Sequence, residues 1–376
     1  QFRTAVEAYV ASLPVEDKVA GLFIVSPEQI TGVQTAVMAG DGTRDALSKY
    51  AVGGIVYADK NITGAAKFKE MLEKTKEFAR VPLFLAINEE PGKGVLATKL
   101  KLAETIDEAE IAATQDPKVA YDQATTIASY LREYGLNLNL GIVADVLTNP
   151  DSESKDPNFG ADPALCASMT AEMAKAYMQW GIASALKFFP GEGDNQGDTA
   201  GGLVTVERTL DEMKACEFTS FMAGLEAGAN MLMVSHVFAP NVTGDNEQCS
   251  RSHTLLTDVL RVEYGLDDVI IITDALNKAA ISSYYDSAEA AVASLKAGAD
   301  MLLLPEDFVE SYEGVLEAVS KGVVSIDRID ASLVRIFKVK FKGMSAAEVE
   351  ALTAPVSEDS EDASGNNESG DTQDNE

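Results

Sequence analysis

Several side chains that could perform acid–base or ligand-binding chemistry stand directly after short apolar runs. The segment from Asn88 to Lys93 follows one such run, and Lys187 lies near the end of another. His236 and Asp274 stand in the same way after two later runs. A lysine at the end of an apolar strand needs a buried partner or a ligand, because Lys is almost never buried unpaired. We expect these residues to converge on a site for a polyhydroxylated or acidic small molecule.

Two of these residues have simpler explanations when each is taken alone. Asp274 precedes Ala-Leu-Asn-Lys and suits the N-cap of a helix, an explanation about as strong as catalysis. A lone histidine such as His236 is more often a hydrogen-bonded core residue than a ligand. Only the convergence of several such side chains favours a ligand site.

A loop rich in glycine and acids, KFFPGEGDNQGDTAGG, covers residues 187–202. Neither a GxGxxG nor a Walker pattern follows any apolar run, so a phosphate cradle is not indicated. The segment Asp194-Asn-Gln-Gly-Asp198 is faintly similar to a calcium loop but lacks the D-x-D-x-D-G register and the distal Glu. Two histidines and three separated cysteines indicate neither a multi-histidine metal site nor a disulfide framework. We therefore expect no metal and no cofactor.

Strands alternating with helices are needed to position these residues. The segment from Asp162 to Met178 has apolar residues at three- and four-residue spacing, as an amphipathic helix requires. Buried strands separated by helices indicate a parallel sheet, and eight such units favour an α/β fold of the (β/α)8 TIM-barrel type over a doubly wound sheet. Site residues of a barrel follow the carboxyl ends of its strands. The eight predicted strands are Gly21 to Val25, Gly54 to Tyr57, Leu83 to Ile87, Leu138 to Val143, Ala183 to Phe188, Met231 to Ser235, Val269 to Thr273 and Met301 to Leu304.

The chain of 376 residues is predicted to form a single barrel domain over residues 1–350, followed by an acidic tail over residues 355–376. The tail has no aromatic residue and almost nothing to bury, so we expect it to be disordered. A net charge of -30 argues against nucleic acid or anionic membranes as partners, because both need clustered Lys and Arg. A neutral sugar is compatible with this charge. No apolar run reaches the roughly 18 residues of a transmembrane helix.

Four motifs resemble those of family 3 glycoside hydrolases, specifically the single-domain β-N-acetylhexosaminidases. Lys187-Phe-Phe-Pro-Gly-Glu-Gly-Asp194 is similar to the KHFPGHGD loop of that family, and Ile272-Thr-Asp-Ala-Leu276 to its [ST]-D-x-L nucleophile strand. Met233-Val-Ser-His236 resembles its M-x-x-H strand, and Asn158-Phe-Gly-Ala-Asp-Pro163 the end of its R-S-F-G-x-D-P loop. The resemblance runs in order from about Ala11 to Gly343 and agrees with the count of eight strands.

The resemblance implies a retaining mechanism through a covalent glycosyl-enzyme intermediate, with Asp274 as the nucleophile. In the family, the histidine of a D-S-H triplet donates and accepts the proton, whereas the triplet here is Asp198-Thr-Ala200. The expected substrate-binding residues are Asn88, Lys93, Lys187 and His236.

Other positions of the sugar-binding motifs differ as well. The D-Q-E-G-G-R motif appears as the segment from Asn88 to Lys93, and the arginine before S-F-G aligns with Pro157. Both histidines of the loop are replaced, by Phe188 and Glu192. These departures weaken the implied contacts with the hydroxyl and acetamido groups of a sugar.

Three functions therefore stay open. The first is a glycosidase acting on β-linked sugars or amino sugars, in which a loop carboxyl supplies the proton. Glu192 is the candidate acid/base, Asp194 and Asp198 are the alternatives, and Asp198 is also the remnant of the dyad. The second is a non-catalytic carbohydrate-binding or interaction protein on the same barrel. The third, metal binding, is weakened by the mismatch with a calcium loop. We favour the glycosidase, with peptidoglycan fragments or other β-glycosides as partners.

The location of the protein is predicted from the resemblance and from the composition. Relatives of this type are either cytoplasmic enzymes of cell-wall recycling or secreted, often lipid-anchored, proteins. The start at Gln1 rather than Met, the acidity and the polar tail fit the secreted kind. We expect an extracellular or cell-surface location in a bacterium, with the cytoplasm as the alternative.

Overall fold

The computed structural model describes residues 1–152, 158–194 and 197–353. Within them, eight strands pair in parallel to form one sheet. The strands are β1 Phe23–Val25, β2 Gly54–Tyr57, β3 Phe84–Ile87, β4 Leu138–Val143, β5 Ala183–Phe189, β6 Met231–Val234, β7 Ile270–Thr273 and β8 Leu302–Leu303.

The sheet closes on itself. Its strand order is β7-β6-β5-β4-β3-β2-β1-β8, and a parallel bridge between Ile272 and Met301 joins the two ends. This closure confirms the predicted (β/α)8 barrel. The doubly wound alternative is wrong, because an open sheet would leave β7 and β8 as unpaired edges.

Helices surround the barrel and follow nearly every strand. A π-helical segment, Thr254–Glu263, stands between β6 and β7, and short 3-10 turns occur at Asp59–Asn61 and Cys249–Arg251. The α-helices are α1 Phe2–Ser12, α2 Val15–Ala20, α3 Pro27–Thr31, α4 Asp41–Lys49, α5 Ala65–Phe78, α6 Val95–Leu100, α7 Glu108–Ala113, α8 Pro117–Tyr134, α9 Pro163–Trp180, α10 Leu210–Ala215, α11 Glu217–Glu226, α12 Pro240–Thr243, α13 Ala279–Ser282, α14 Ser287–Ala297, α15 Phe308–Ser320, α16 Ile326–Lys340 and α17 Ala346–Ala351.

The long helix α9 shows how the sequence sets these elements. The Asp162 side chain accepts the N–H of Ala164 at 2.9 Å, and a proline occupies the first helical position, where a missing N–H is tolerated. The helix ends at Gly181, whose φ of 72° is the left-handed conformation that glycine adopts most readily. The helix predicted after Asp162 is thereby confirmed.

Two glycines allow β2 to approach its neighbours closely. A Cβ at Gly53 would lie 2.2 Å from the carbonyl oxygen of Gly21, and a Cβ at Gly54 would lie 2.8 Å from the Phe84 side chain. Any larger residue would therefore push β2 away from β1 and β3.

Buried Asp300 fixes the join between β7 and β8. Its Oδ2 accepts the N–H of Ile271 in β7 at 2.8 Å, and its Oδ1 accepts the Ser332 hydroxyl at 2.7 Å. Arg261 and Arg335 pair with the two oxygens. Because an unpaired carboxylate cannot be buried cheaply, these cations make the closing contact stable.

Some predictions fall outside the described residues. The acidic tail over residues 355–376 is one, and Pro157 and residues 195–196 of the glycine-rich loop are others. Among the helices that the structure does describe, none combines the length and the apolar character needed to cross a membrane.

Candidate active site

A cavity of about 320 Å³ lies where the strands of the barrel end. Its walls come from the segments that follow β3, β5 and β7, together with side chains of β2, β4, β6 and β8. The polar side chains that line it are Asn88, Lys187, Asp198, Asp274 and Lys278. This arrangement brings four of the predicted site residues to one mouth cavity, as expected for residues at the carboxyl ends of barrel strands.

Lys187 is held in the wall of the mouth cavity by two acceptors. Its Nζ donates to Asn88 Oδ1 at 2.8 Å and to Glu90 Oε1 at 2.5 Å. Lys187 as a whole is only 4% exposed. The same ammonium lies 5.1 Å from the centroid of the Phe188 ring, within the range of a cation–π contact. The expectation that this lysine needs a buried partner is thus met by Glu90.

Asp274 is buried directly after β7, and both of its carboxylate oxygens accept hydrogen bonds. Oδ1 accepts the N–H of Ala275 at 2.7 Å, and Oδ2 accepts from Lys278 Nζ at 2.6 Å. Burial pushes the pKa of Asp274 upward, but the Lys278 ammonium and the other favourable contacts outweigh burial and hold the pKa below its usual value. Asp274 is therefore an ionised carboxylate at neutral pH. The simpler N-cap explanation is wrong, because α13 begins at Ala279 with Lys278 at the cap position.

Lys278 was missed by the sequence reasoning. Its Nζ lies 3.5 Å from Thr199 Oγ1 and 5.0 Å from the Phe188 ring centroid, besides its bond to Asp274. Burial lowers the pKa of Lys278, but Asp274 outweighs it, so the pKa is raised and the ammonium stays charged. The spacing of four residues between Asp274 and Lys278 is the signal that could have revealed this ion pair.

His236 lies behind the mouth cavity rather than in its wall. Its residue is fully buried; Nε2 lies 2.9 Å from the carbonyl oxygen of Ala275, and Nδ1 lies 2.8 Å from the Ser250 hydroxyl. Because a carbonyl only accepts, Nε2 carries the proton and Nδ1 accepts from Ser250. Burial also lowers the pKa of His236, which favours the neutral ring. The geometry suits a core histidine that fixes the peptide after Asp274.

The glycine-rich loop brings Asp198 to the mouth cavity. Asp198 is exposed and lines the cavity, and its Oδ1 accepts the N–H of Ala200 at 2.8 Å. The next carbonyl, that of Thr199, accepts the N–H of Ala280 at 3.1 Å. This bond attaches the loop to the segment that follows Asp274, so the two carboxyl groups face one cavity.

Glu192 takes a different position. It is buried, its Oε1 accepts the hydroxyl of Ser235, and it is not among the side chains that line the mouth cavity. Its N–H donates to Asp145 Oδ2 at 2.6 Å. Burial above all, and the nearby charge of Glu192, raise the pKa of Asp145 well above its usual value. Asp145 was also missed, although its place shortly after a predicted strand is the same signal that identified the other residues.

The segment from Asn88 to Lys93 is divided between two roles. Asn88 lines the mouth cavity, whereas Lys93 is exposed and does not. Buried Glu89 accepts from the N–H groups of Leu96 and Ala97, at 2.8 and 2.9 Å, and so holds the start of α6. Among the described residues, no three His, Cys, Asp or Glu side chains converge in a way that could hold a metal ion.

A closed (β/α)8 barrel with a polar cavity at the carboxyl ends of its strands defines the structural class of this protein. The chain matches the model of the glycosyl hydrolase family 3 N terminal domain over residues 15–339, and it belongs to this family. The resemblance inferred from its motifs is confirmed.

Relatives and solved structures of this family resemble the chain along most of its length. It is 26% identical over 326 residues to beta-hexosaminidase A of Pseudoalteromonas piscicida, covering 79% of this chain and 54% of that protein. It is 27% identical over 342 residues to beta-hexosaminidase LpqI of Mycobacterium tuberculosis, covering 88% and 84%. A family 3 β-N-acetylglucosaminidase structure from Paenibacillus sp. str. FPU-7 superposes with a TM-score of 0.81 and 27% identity, covering 96% of this chain and 66% of that one. The chain thus spans about half the length of the Pseudoalteromonas relative.

Proposed function

We propose that this protein is a retaining β-glycosidase that acts on β-linked amino sugars, with Asp274 as the nucleophile. The observation that carries the proposal is that an ionised, buried Asp274 shares one cavity with Asn88, Lys187 and Asp198. Relatives named beta-hexosaminidases over most of the chain support the substrate class. We extend the proposal to peptidoglycan fragments or other β-glycosides as substrates, and to an extracellular or cell-surface location.

The chemistry requires a nucleophilic carboxylate and a proton-transferring group with different tasks. One carboxylate attacks the anomeric carbon and forms the glycosyl-enzyme, while a second group protonates the departing oxygen and later deprotonates water. Attack by Asp274 Oδ2 requires the Lys278 ammonium, now 2.6 Å away, to release that oxygen. We assign the binding of sugar hydroxyls to Lys187 and Asn88, which line the same cavity and are joined by a 2.8 Å hydrogen bond.

We assign the proton transfer to Asp198 rather than to the sequence candidate Glu192. Asp198 is exposed in the mouth cavity and lies on a loop whose glycines permit movement toward a bound sugar. The Glu192 carboxylate is engaged by Ser235 outside the lining of that cavity. A group that transfers a proton must reach the departing oxygen, and this requirement favours Asp198.

A second candidate function is a carbohydrate-binding protein without catalysis. Both oxygens of Asp274 are occupied, by the Ala275 N–H and by Lys278, which reduces the reactivity of the carboxylate. The triplet Asp198-Thr-Ala200 also lacks a histidine.

Hydrolysis of aryl β-N-acetylglucosaminides and aryl β-glucosides with good and poor leaving groups tests the assignment. Asp274→Asn should abolish turnover. Asp198→Asn should lower kcat/KM by about 10²- to 10⁴-fold with poor leaving groups and much less with good ones. Glu192→Gln is the matched carboxyl control and should retain most activity with both kinds of substrate.

Two outcomes would overturn parts of the proposal. Turnover no higher than that of Asp274→Asn, on every substrate, would remove the glycosidase assignment. A leaving-group dependence seen in Glu192→Gln instead of Asp198→Asn would transfer the proton donor to Glu192. For the binding alternative, calorimetric titration with N-acetylglucosamine and peptidoglycan fragments should give saturable heat, and a flat titration would reject it.

A further inference from the structure

A second, larger cavity of about 560 Å³ lies at the other end of the barrel, where the strands begin. We call it the basal cavity. Phe84, the first residue of β3, and Ala183, the first residue of β5, line it, as does Asn230, which precedes β6. The apolar side chains of Met178 and Ile182 complete the floor. The basal cavity is therefore separate from the mouth cavity around Asp274.

The side chains that line the basal cavity are positively charged, whereas the protein as a whole is strongly negative. The chain carries a net charge of -30, yet no Asp or Glu is found among the described residues that line this cavity. Four basic side chains do line it: Lys76, Arg80, Lys340 and Lys342. Arg80 is neutralised by Asp17, which does not line the cavity and accepts two hydrogen bonds from the guanidinium, one of them at 2.7 Å. Three ammonium groups remain, and no carboxylate of the described chain forms an ion pair with them.

Lys340 is the most constrained of the three ammonium groups. Its Nζ donates to the carbonyl oxygen of Pro82 at 2.8 Å and lies 5.0 Å from the ring centroids of both Phe84 and Phe337. Lys340 is half-buried, and its desolvation, with no carboxylate to oppose it, lowers its pKa to about 7. Lys76 on α5, Lys342 after α16 and Arg80 are the charged groups that share its cavity, and all are cations. An anion placed here would therefore be attracted by every charged neighbour.

The remaining lining residues favour the same ligand. Asn230 Oδ1 accepts the N–H of Ser184 at 3.3 Å, so its amide nitrogen is the part of this side chain left to donate. The side-chain amide of Asn137 accepts from the N–H of Leu85 and donates to the carbonyl oxygen of Leu83. It therefore lines the cavity without offering a free acceptor to a ligand. The basal cavity thus offers donors and apolar surface.

We propose that the basal cavity binds a small phosphate ester. Its dianionic phosphate pairs with the ammonium groups of Lys340, Lys76 and Lys342. Its organic part lies on the apolar floor formed by Phe84, Met178 and Ile182. Several cations in one cavity favour a dianion over a monocarboxylate, because the attraction of an anion to the surrounding cations grows in proportion to its charge. The volume exceeds the need of inorganic phosphate alone, which is why an ester is expected. The assignment is independent of any glycosidase activity at the mouth.

Calorimetric titration of the full chain with glucose 6-phosphate, inorganic sulfate and glucose tests this site. At low salt we expect glucose 6-phosphate to bind with a Kd of about 1 mM or tighter, and glucose not to bind at the same site. Lys340→Met should weaken binding at least about tenfold. Lys338→Met is the matched control, because Lys338 lies on the same helix but pairs with Asp268 at 2.6 Å and does not line the cavity. Lys342→Met, at an exposed position, should also weaken binding and does not depend on the fold tolerating a change at Lys340.

Titration with sulfate at several pH values reports on protonation of the protein alone, because the charge of sulfate does not change in the working pH range. A bound anion raises the pKa of Lys340, so binding takes up protons and should tighten as pH falls from about 8.5 to about 6.5. Lys340→Met should remove this dependence.

Three results would overturn the proposal. One is equal affinity of Lys340→Met and Lys338→Met for glucose 6-phosphate. Another is a loss of binding in Lys278→Met at a temperature where circular dichroism shows this variant to be folded, which would place the anion at the mouth. The third is an affinity that rises more than about tenfold when residues 354–376 are removed, which would make the acidic end of this chain the occupant.

Discussion

Replacing Lys278 by methionine should destabilise the protein in a way that depends on pH. The substitution removes the ammonium that lies 2.6 Å from Asp274 Oδ2 and keeps a side chain of similar length. The two side chains are 21% and 5% exposed, so the carboxylate loses its cation in a largely dry site. Removing one partner of a buried pair typically costs about 3 to 5 kcal/mol. We take about 3 kcal/mol for this partly exposed pair at pH 7.

The pH dependence follows from the depressed pKa of Asp274. In the parent protein its ionisation contributes stability above the unfolded pKa of about 3.9, and this contribution is lost as pH falls through the folded pKa. Without Lys278, burial dominates and raises the folded pKa above 3.9. The stability of the Lys278→Met variant then falls as pH rises from the unfolded pKa toward this raised folded pKa of Asp274. The difference between the two proteins should shrink as pH falls below about 3.9 and through the depressed folded pKa of Asp274 in the parent, because below that pKa Asp274 is protonated in both proteins.

Urea unfolding between pH 3 and pH 8 measures this difference, with Trp180 as the fluorescent probe. Lys93→Met is the matched control, because Lys93 is exposed and outside the mouth cavity. In an Asp274→Asn background, Lys278→Met should cost much less, since the charge that needs compensation is gone. A loss of stability that stays constant across the pH range would refute the reasoning.

Three further predictions concern residues that support the barrel. Burial lowers the pKa of His236, so stability should fall by up to about 1.4 kcal/mol per pH unit below about 6.5; His236→Gln should remove this component in urea unfolding. Tyr130→Phe deletes a 2.8 Å bond to the Glu89 carboxylate and should cost about 1.5 to 3 kcal/mol by the same assay, whereas an unchanged midpoint would contradict the role of that bond. Gly53→Ala places a Cβ 2.2 Å from a main-chain oxygen and should cost at least about 2 kcal/mol, while Gly42→Ala, in open space within α4, should be neutral or stabilising.

The strands of the barrel could be predicted because parallel strands are buried on both faces. Their sequences are therefore short apolar runs, which stand out between helical patterns. The predicted limits of β2 and β4 agree with the structure at both ends, and those of the other strands differ by at most two residues. The closed barrel was predicted because eight strands could be counted in the sequence.

The direction of each site side chain was harder to predict than its place. Apolar runs locate the end of a strand, but they do not state which way the next residues point. Asn88 and Glu90 both meet Lys187, whereas Glu89 between them points to α6. The two-residue alternation of strands contains this information, and it could have divided the segment into its two roles.

The loop carboxylates show a limit of a different kind. Glu192 and Asp198 both lie on the glycine-rich loop, and their residue types suit the same task equally well. Only the folded path of the loop distinguishes a buried Glu192 beside Asp145 from an exposed Asp198 in the mouth cavity. Glycine-rich segments carry no periodicity from which such a path can be predicted.

The contacts of Lys278 with Asp274 and Phe188 couple the substitutions that these three positions tolerate. A histidine at position 200, which the motif resemblance implies for the acid/base triplet, would bring a third basic group to a cavity that already holds the ammonium groups of Lys187 and Lys278. Phe188, whose ring lies 5.1 and 5.0 Å from two lysines, would in turn lose a partner if Lys278 changed first. Single substitutions at positions 200 and 278 are therefore expected to be unfavourable. A histidine-based site in this cavity would need at least two coordinated substitutions, so changes at positions 200 and 278 should be tested in combination.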